Sequence, residues 1–152
     1  METIYTLRNR EITALPKEVK FYNDGKKVQY TIYRNGKKNG EYKYWYANGQ
    51  LKIKTTFVDD KIDGEYKTWY ENGKIKSMTT CIDDKIDKIG IRYFKSGNIE
   101  GINNYKNGEL NGYSIMYFPN GNTFRQTFYE NDKLISTITY NETGNIVFDN
   151  SL

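Results

Sequence analysis

The sequence predicts an all-β fold, an elongated and twisted antiparallel meander of tandem β-hairpin repeats on a 24-residue period, with about ten to twelve strands. Three observations lead there. Gly25, Gly49, Gly73, Gly97 and Gly121 stand 24 residues apart, and Gly144 follows one residue early. An aromatic pair precedes each of the first five: Phe21 and Tyr22, Trp45 and Tyr46, Trp69 and Tyr70, Tyr93 and Phe94, Tyr117 and Phe118, with Tyr140 continuing the series alone. The segments between these landmarks, such as 41–46 and 51–58, are rich in Tyr, Thr, Ile and Phe and alternate in character, which suits pleated strands, and none sustains a 3.6-residue pattern.

Each element of the repeat has its own justification. Asn48 and Asn72, each followed by Gly, are strong hairpin signals, because Asn and Gly tolerate the positive φ that a tight reversal needs. Two turns fit there. A two-residue type I′ turn at Asn48 and Gly49 pairs Tyr46 with Leu51; a three-residue turn with Gly in a bulge pairs Tyr46 with Gln50 and Trp45 with Leu51. The second reversal of each unit, 35–40 or 59–64, reads as a slightly longer polar hairpin loop, opened at Gly36, Asp60, Asp84, Gly108 and Asp132 and closed at Gly40, Gly64 and Gly112. Lys88 and Ser136 break that last series, so the copies are not interchangeable. Residues 21–152 form the repeat domain, about five and a half copies, and residues 1–20, with Pro16 and no Gly landmark, form an N-terminal capping segment with at most one irregular strand.

The composition limits the chemistry. Hydrophobic residues make up only 37% of the 152, yet fifteen residues are Tyr, which gives a half-wet surface in place of a thick core. With 23 Lys and Arg against 19 Asp and Glu, interspersed, the net charge of +4 is weak support for a nucleic-acid partner, which is disfavoured. The chain has no His and a single Cys, so the commonest general base and zinc ligand are missing and no intrachain disulfide can form. No cofactor, metal or catalytic residue is expected. Cys81 holds a slot that carries Tyr33, Phe57, Tyr105 and Tyr129 in other copies and reads as a small apolar filler. The acidic turns Asp59, Asp60 and Asp63, and Asp83, Asp84 and Asp87, offer oxygen ligands in principle, but Asp is favoured in turns for backbone hydrogen bonding and Lys61 and Lys85 intervene. No apolar run reaches signal-peptide or membrane-span length, so a cytoplasmic location is expected, although an exported protein whose signal peptide had been removed would read the same.

The segments YWYANG at 44–49, NGEYKYWYANGQLK at 39–52 and DGEYKTWYENGKIK at 63–76 resemble the MORN repeat variant found in many bacterial proteins, over roughly residues 20–149. The third unit departs from that pattern at Asp87, Lys88 and Ile89, and the last at Ser136 and Thr137. The resemblance implies a twisted single-layer sheet that binds protein or, in some proposals, phospholipid, and in bacteria an antitoxin-like or immunity-like partner of a toxin. The expected function is therefore a non-enzymatic protein-interaction module of antitoxin or immunity type, with binding to acidic phospholipid at a membrane surface as the alternative. The partner is expected on a repeated aromatic surface, with Tyr42, Tyr44, Tyr46, Tyr66, Trp69 and Tyr70 as candidate contacts because Tyr and Trp offer large contact areas at low rotamer entropy. Pairing of a terminal strand with a second copy would make a homodimer by sheet-edge addition.

Overall fold

The computed structural model describes residues 18–22 and 29–150, and all of its regular structure is β. Gly25 and most of the capping segment, residues 1–17, lie outside the described residues. The first strands are β1 (Glu18–Tyr22), β2 (Gln29–Arg34), β3 (Lys37–Trp45), β4 (Leu51–Val58), β5 (Lys61–Ile62), β6 (Gly64–Trp69) and β7 (Ile75–Ile82). They are followed by β8 (Lys85–Tyr93), β9 (Ile99–Lys106), β10 (Glu109–Tyr117), β11 (Thr123–Glu130), β12 (Lys133–Tyr140) and β13 (Ile146–Asp149). Every strand pairs antiparallel with its sequence neighbours in one open sheet, with the two-residue β5 alongside β4 as the detached start of β6. The meander is as the 24-residue period predicts. Backbone pairing of β1 with β2 begins at Glu18, inside the segment expected to cap the sheet.

The two reversals of each repeat have distinct geometries. At Asn48 and Gly49 the three-residue alternative holds: Tyr46 N donates to Gln50 O at 2.8 Å, Gly49 N to Tyr46 O at 2.9 Å, and Trp45 lies opposite Leu51. Gly49 has φ +87, whereas Asn48 stays out of the left-handed region because its side chain caps the turn, accepting from Gln50 N at 3.0 Å. One extra residue then sits in the outgoing strand of the five copies from Asn48 onward, at Lys52, Lys76, Glu100, Phe124 and Val147. Such bulges increase the local right-handed twist.

The other reversal corrects the expected longer loop. It is a two-residue turn with both residues at positive φ, at Asn35 and Gly36, Asp59 and Asp60, Asp83 and Asp84, Asn107 and Gly108, and Asn131 and Asp132. Asn and Asp tolerate this conformation, so the type I′ hairpin forms where Asn-Gly is absent as well as where it is present. The downstream Gly40, Gly64 and Gly112 do not close the turn; they occupy a second bulge within the strand at φ +128, +122 and +101. Lys88 takes the matching position without glycine, in the left-handed region at φ +67. In the Ser136 copy the irregularity shrinks to one extra residue, Ile135.

Antiparallel partners project to the same face, so the register fixes two surfaces. On the first, which we call the threonine face, Thr31, Tyr42 and Thr55 lie side by side, and further along the sheet the row becomes Thr79, Gly90, Asn103, Ser114 and Thr127. On the opposite, tryptophan face, Trp45 lies beside Leu51, Trp69 beside Ile75, Tyr93 beside Ile99 and Tyr117 beside Thr123. No described element packs over either face. Consequently only Thr31, Thr55, Cys81, Gly101 and Thr127 are buried among the described residues.

Candidate functional site

The six candidate contacts divide between the two faces. Tyr42 and Tyr44 alternate with Glu41, Lys43 and Trp45 along β3 and therefore share the threonine face, as does Tyr66 on β6, opposite Thr79. Tyr46 joins them, since Lys52 Nζ lies over the Tyr44 and Tyr46 rings at 5.3 and 5.1 Å. Trp69 does not. It pairs with Ile75 on the tryptophan face, so strand alternation divides the six candidates between the two surfaces.

The tyrosines also do structural work. Tyr46 OH donates to Trp69 O at 2.8 Å and Tyr70 OH to Tyr93 O at 2.7 Å, each tying one repeat to the next. Tyr42 stacks edge-on against Phe57, with ring centroids 5.5 Å apart, and Lys38 Nζ lies 4.8 Å from the Phe57 centroid. Burial, foremost, pushes the hydroxyls of Tyr42, Tyr66 and Tyr70 above the usual 10.0. These rings are half-buried and form the first repeats' substitute for a core.

The acidic turns are built into the backbone. Asp60 Oδ1 accepts from Lys38 N at 2.8 Å, Asp84 Oδ1 from Ile62 N at 2.7 Å and Asp132 Oδ1 from Leu110 N at 2.7 Å, while each of those Asp N–H groups donates back to the carbonyl of the same residue. This reciprocal pair locks a turn onto the previous repeat. No cluster of metal-ligating side chains occurs among the described residues. Cys81 is 6% exposed, and burial, chiefly, raises its thiol, which opposes thiolate formation.

What the repeat landmarks do not reveal lies on the tryptophan face. A single row crosses ten strands there: Tyr30, Lys43, Lys54 and Lys67, then Met78, Ile91, Ile102 and Ile115, then Gln126 and Ile138. In its first half the lysines meet glutamates: Lys43 and Lys54 share Glu41 at 2.7 and 3.3 Å, and Lys67 meets Glu65 at 2.8 Å. The hydrogen bond from Lys43, the largest influence, together with that from Lys54, holds the Glu41 carboxyl below its ordinary 4.5. From Met78 to Ile115 the row is apolar and its borders stay open. Tyr113 is 57% exposed, and Ile99, at the other border, 37%. Periodicity alone gives no signal for this, because these positions are where the copies differ; only the register lines them up.

The MORN repeat variant family model matches the chain at residues 38–59, 62–80, 87–107 and 125–142. No curated protein sequence matches it. The four matched stretches follow the hairpin units of the sheet and together cover more than half of the chain, which therefore belongs to the MORN repeat variant family.

Proposed function

We propose that this chain is a non-enzymatic protein-interaction module that binds its partner on a face of the sheet. One observation carries the reading. Of the ten large apolar or aromatic side chains exposed at 37–61%, nine lie between Ile82 and Phe148, on a sheet with no second layer to receive them. A concentration of exposed apolar side chains in one part of a folded protein marks an interaction site. Family membership supports the same reading, since MORN repeats are typically binding modules without catalytic activity.

In its finer form the partner is a toxin that the module neutralises, and this rests on the bacterial resemblance. Co-purification from the source cell followed by mass spectrometry is the test. A protein partner in stoichiometric amount is expected. If no protein is recovered and the adjacent reading frames encode no toxin, the neutralising role is lost.

A second reading has one specific observation behind it, the Lys43, Lys54 and Lys67 row, which would meet an acidic phospholipid surface. The two glutamates within reach of those lysines weaken it. Flotation with phosphatidylserine vesicles at low and high salt separates the readings: salt-sensitive flotation favours lipid, and none at low salt removes it.

A further inference from the structure

The geometry points to the apolar row Met78, Ile91, Ile102 and Ile115 as the seat of an amphipathic helix of the partner, laid along the sheet with acidic residues at the end nearer Lys67. This rests on the interaction-module reading and specifies its partner. The row crosses β7 to β10 with one residue per strand, and it continues through Gln126 to Ile138 on β12. At ~4.8 Å per strand it is about 24 Å long, and with one bordering row on each side about 14 Å wide. That footprint, on the order of 340 Å², is well short of the ~800 Å² per partner of a standard protein interface, so the track suits one narrow docked segment bound with modest affinity and not a second copy laid broadly face to face. It does match a helix of about 16 residues, ~24 Å long and 10–12 Å across, whose ~5.4 Å pitch places an apolar residue near every strand.

Direction comes from charge. Beyond Met78 the row turns to Lys67, Lys54 and Lys43, where three ammonium groups share the two carboxylates of Glu41 and Glu65. An apolar helix running on over Lys67 would desolvate it, whereas acidic residues there would complete its pairing. Tyr93, whose hydroxyl donates to Met78 Sδ at 3.5 Å, and the exposed Tyr113 on the far border wall the track on either side.

A synthetic helical peptide of about 16 residues, with Leu on one face and Glu at one end, tests this against methyl-labelled full-length protein. Nuclear magnetic resonance should show shifts centred on the methyls of Met78, Ile91, Ile102 and Ile115. Ile91→Thr with Ile102→Thr, which keeps β-branched side chains in the strands, should weaken binding about tenfold. Lys67→Glu should reverse the preference, favouring a peptide ended in Lys over one ended in Glu. No shifts at the track, equal binding of a scrambled peptide of the same composition, or an unchanged end preference in Lys67→Glu would each overturn the assignment. The native partner separates this from the broader reading: if it is captured equally by wild type and by the double Thr variant, the module reading stands and the helix track fails.

Discussion

The first two intact repeats and the repeats from Met78 onward share turns, bulges and strand pairing, yet they present opposite chemistry on the same face. In the first, Lys43, Lys54 and Lys67 are held by Glu41 and Glu65, and Tyr46 and Tyr70 hydroxyls reach into the following repeat. In the second, the corresponding row is Met78, Ile91, Ile102 and Ile115, and Phe94 and Phe118 stand where the tying hydroxyls were. The backbone of a repeat is fixed by turn and bulge residues, which leaves the strand positions between them free to diverge copy by copy. Specific recognition therefore belongs to the non-repeating positions.

The largest expected effect comes from exchanging the two chemistries. Ile102→Lys places an ammonium between Ile91 and Ile115 and should cost about 2 kcal/mol in urea unfolding, whereas Lys54→Ile, on the same row among charged neighbours, should change stability by less than ~0.5 kcal/mol. Equal costs would mean that the halves are not energetically distinct. Next, Tyr70→Phe removes the 2.7 Å bond to Tyr93 O and should cost about 1 kcal/mol, while Phe94→Tyr should gain up to as much by restoring the tie in the later repeat. A null result in both would show that the hydroxyl ties do not distinguish the halves.

Smaller still is Lys88→Gly. Lys88 holds φ +67 where three other copies carry glycine, so the substitution should raise stability by about 0.5–1 kcal/mol, measured by thermal unfolding, and make the third copy more like its neighbours. A loss would mean that the Lys88 side chain contributes more than its backbone strain costs. The smallest effect concerns Glu41. Its carboxyl is lowered in the fold, so its contribution is present above the unfolded value of 4.5 and is lost as pH falls through the folded value. Because the group is partly exposed, only a few tenths of a kcal/mol are expected, reduced further by salt. Glu41→Gln should flatten that part of the pH profile, and an unaltered profile would place the acid sensitivity elsewhere.

Much of the fold was legible in the landmarks, because glycine spacing and the aromatic pairs report directly on local backbone conformation. The turn types were half legible. Asn48 and Gly49 suit two geometries equally, and in sequence Asp59 and Asp60 resemble part of a longer loop ending at the glycine at 64, although that glycine serves a bulge. The candidate contacts rest on aromatic content, which does not say which face a side chain takes, and Trp69 lies on the face opposite Tyr42, Tyr44 and Tyr66. A one-residue difference in register moves a side chain through the sheet, and short-range pattern does not fix it.

By itself, then, the sequence determined the repeat, the all-β class, the antiparallel meander and the poverty of catalytic groups, all of which follow from residue type and spacing along the chain. Only the tertiary structure decided which turn closes each hairpin, that Asp60, Asp84 and Asp132 lock successive repeats together, and that Met78, Ile91, Ile102 and Ile115 form one continuous track. Those four residues come from four strands, and the bulges, although they recur with the repeat, do not by themselves say which strand residues fall into line. Their alignment is a property of strand register, which is settled by hydrogen bonds between segments and not within them.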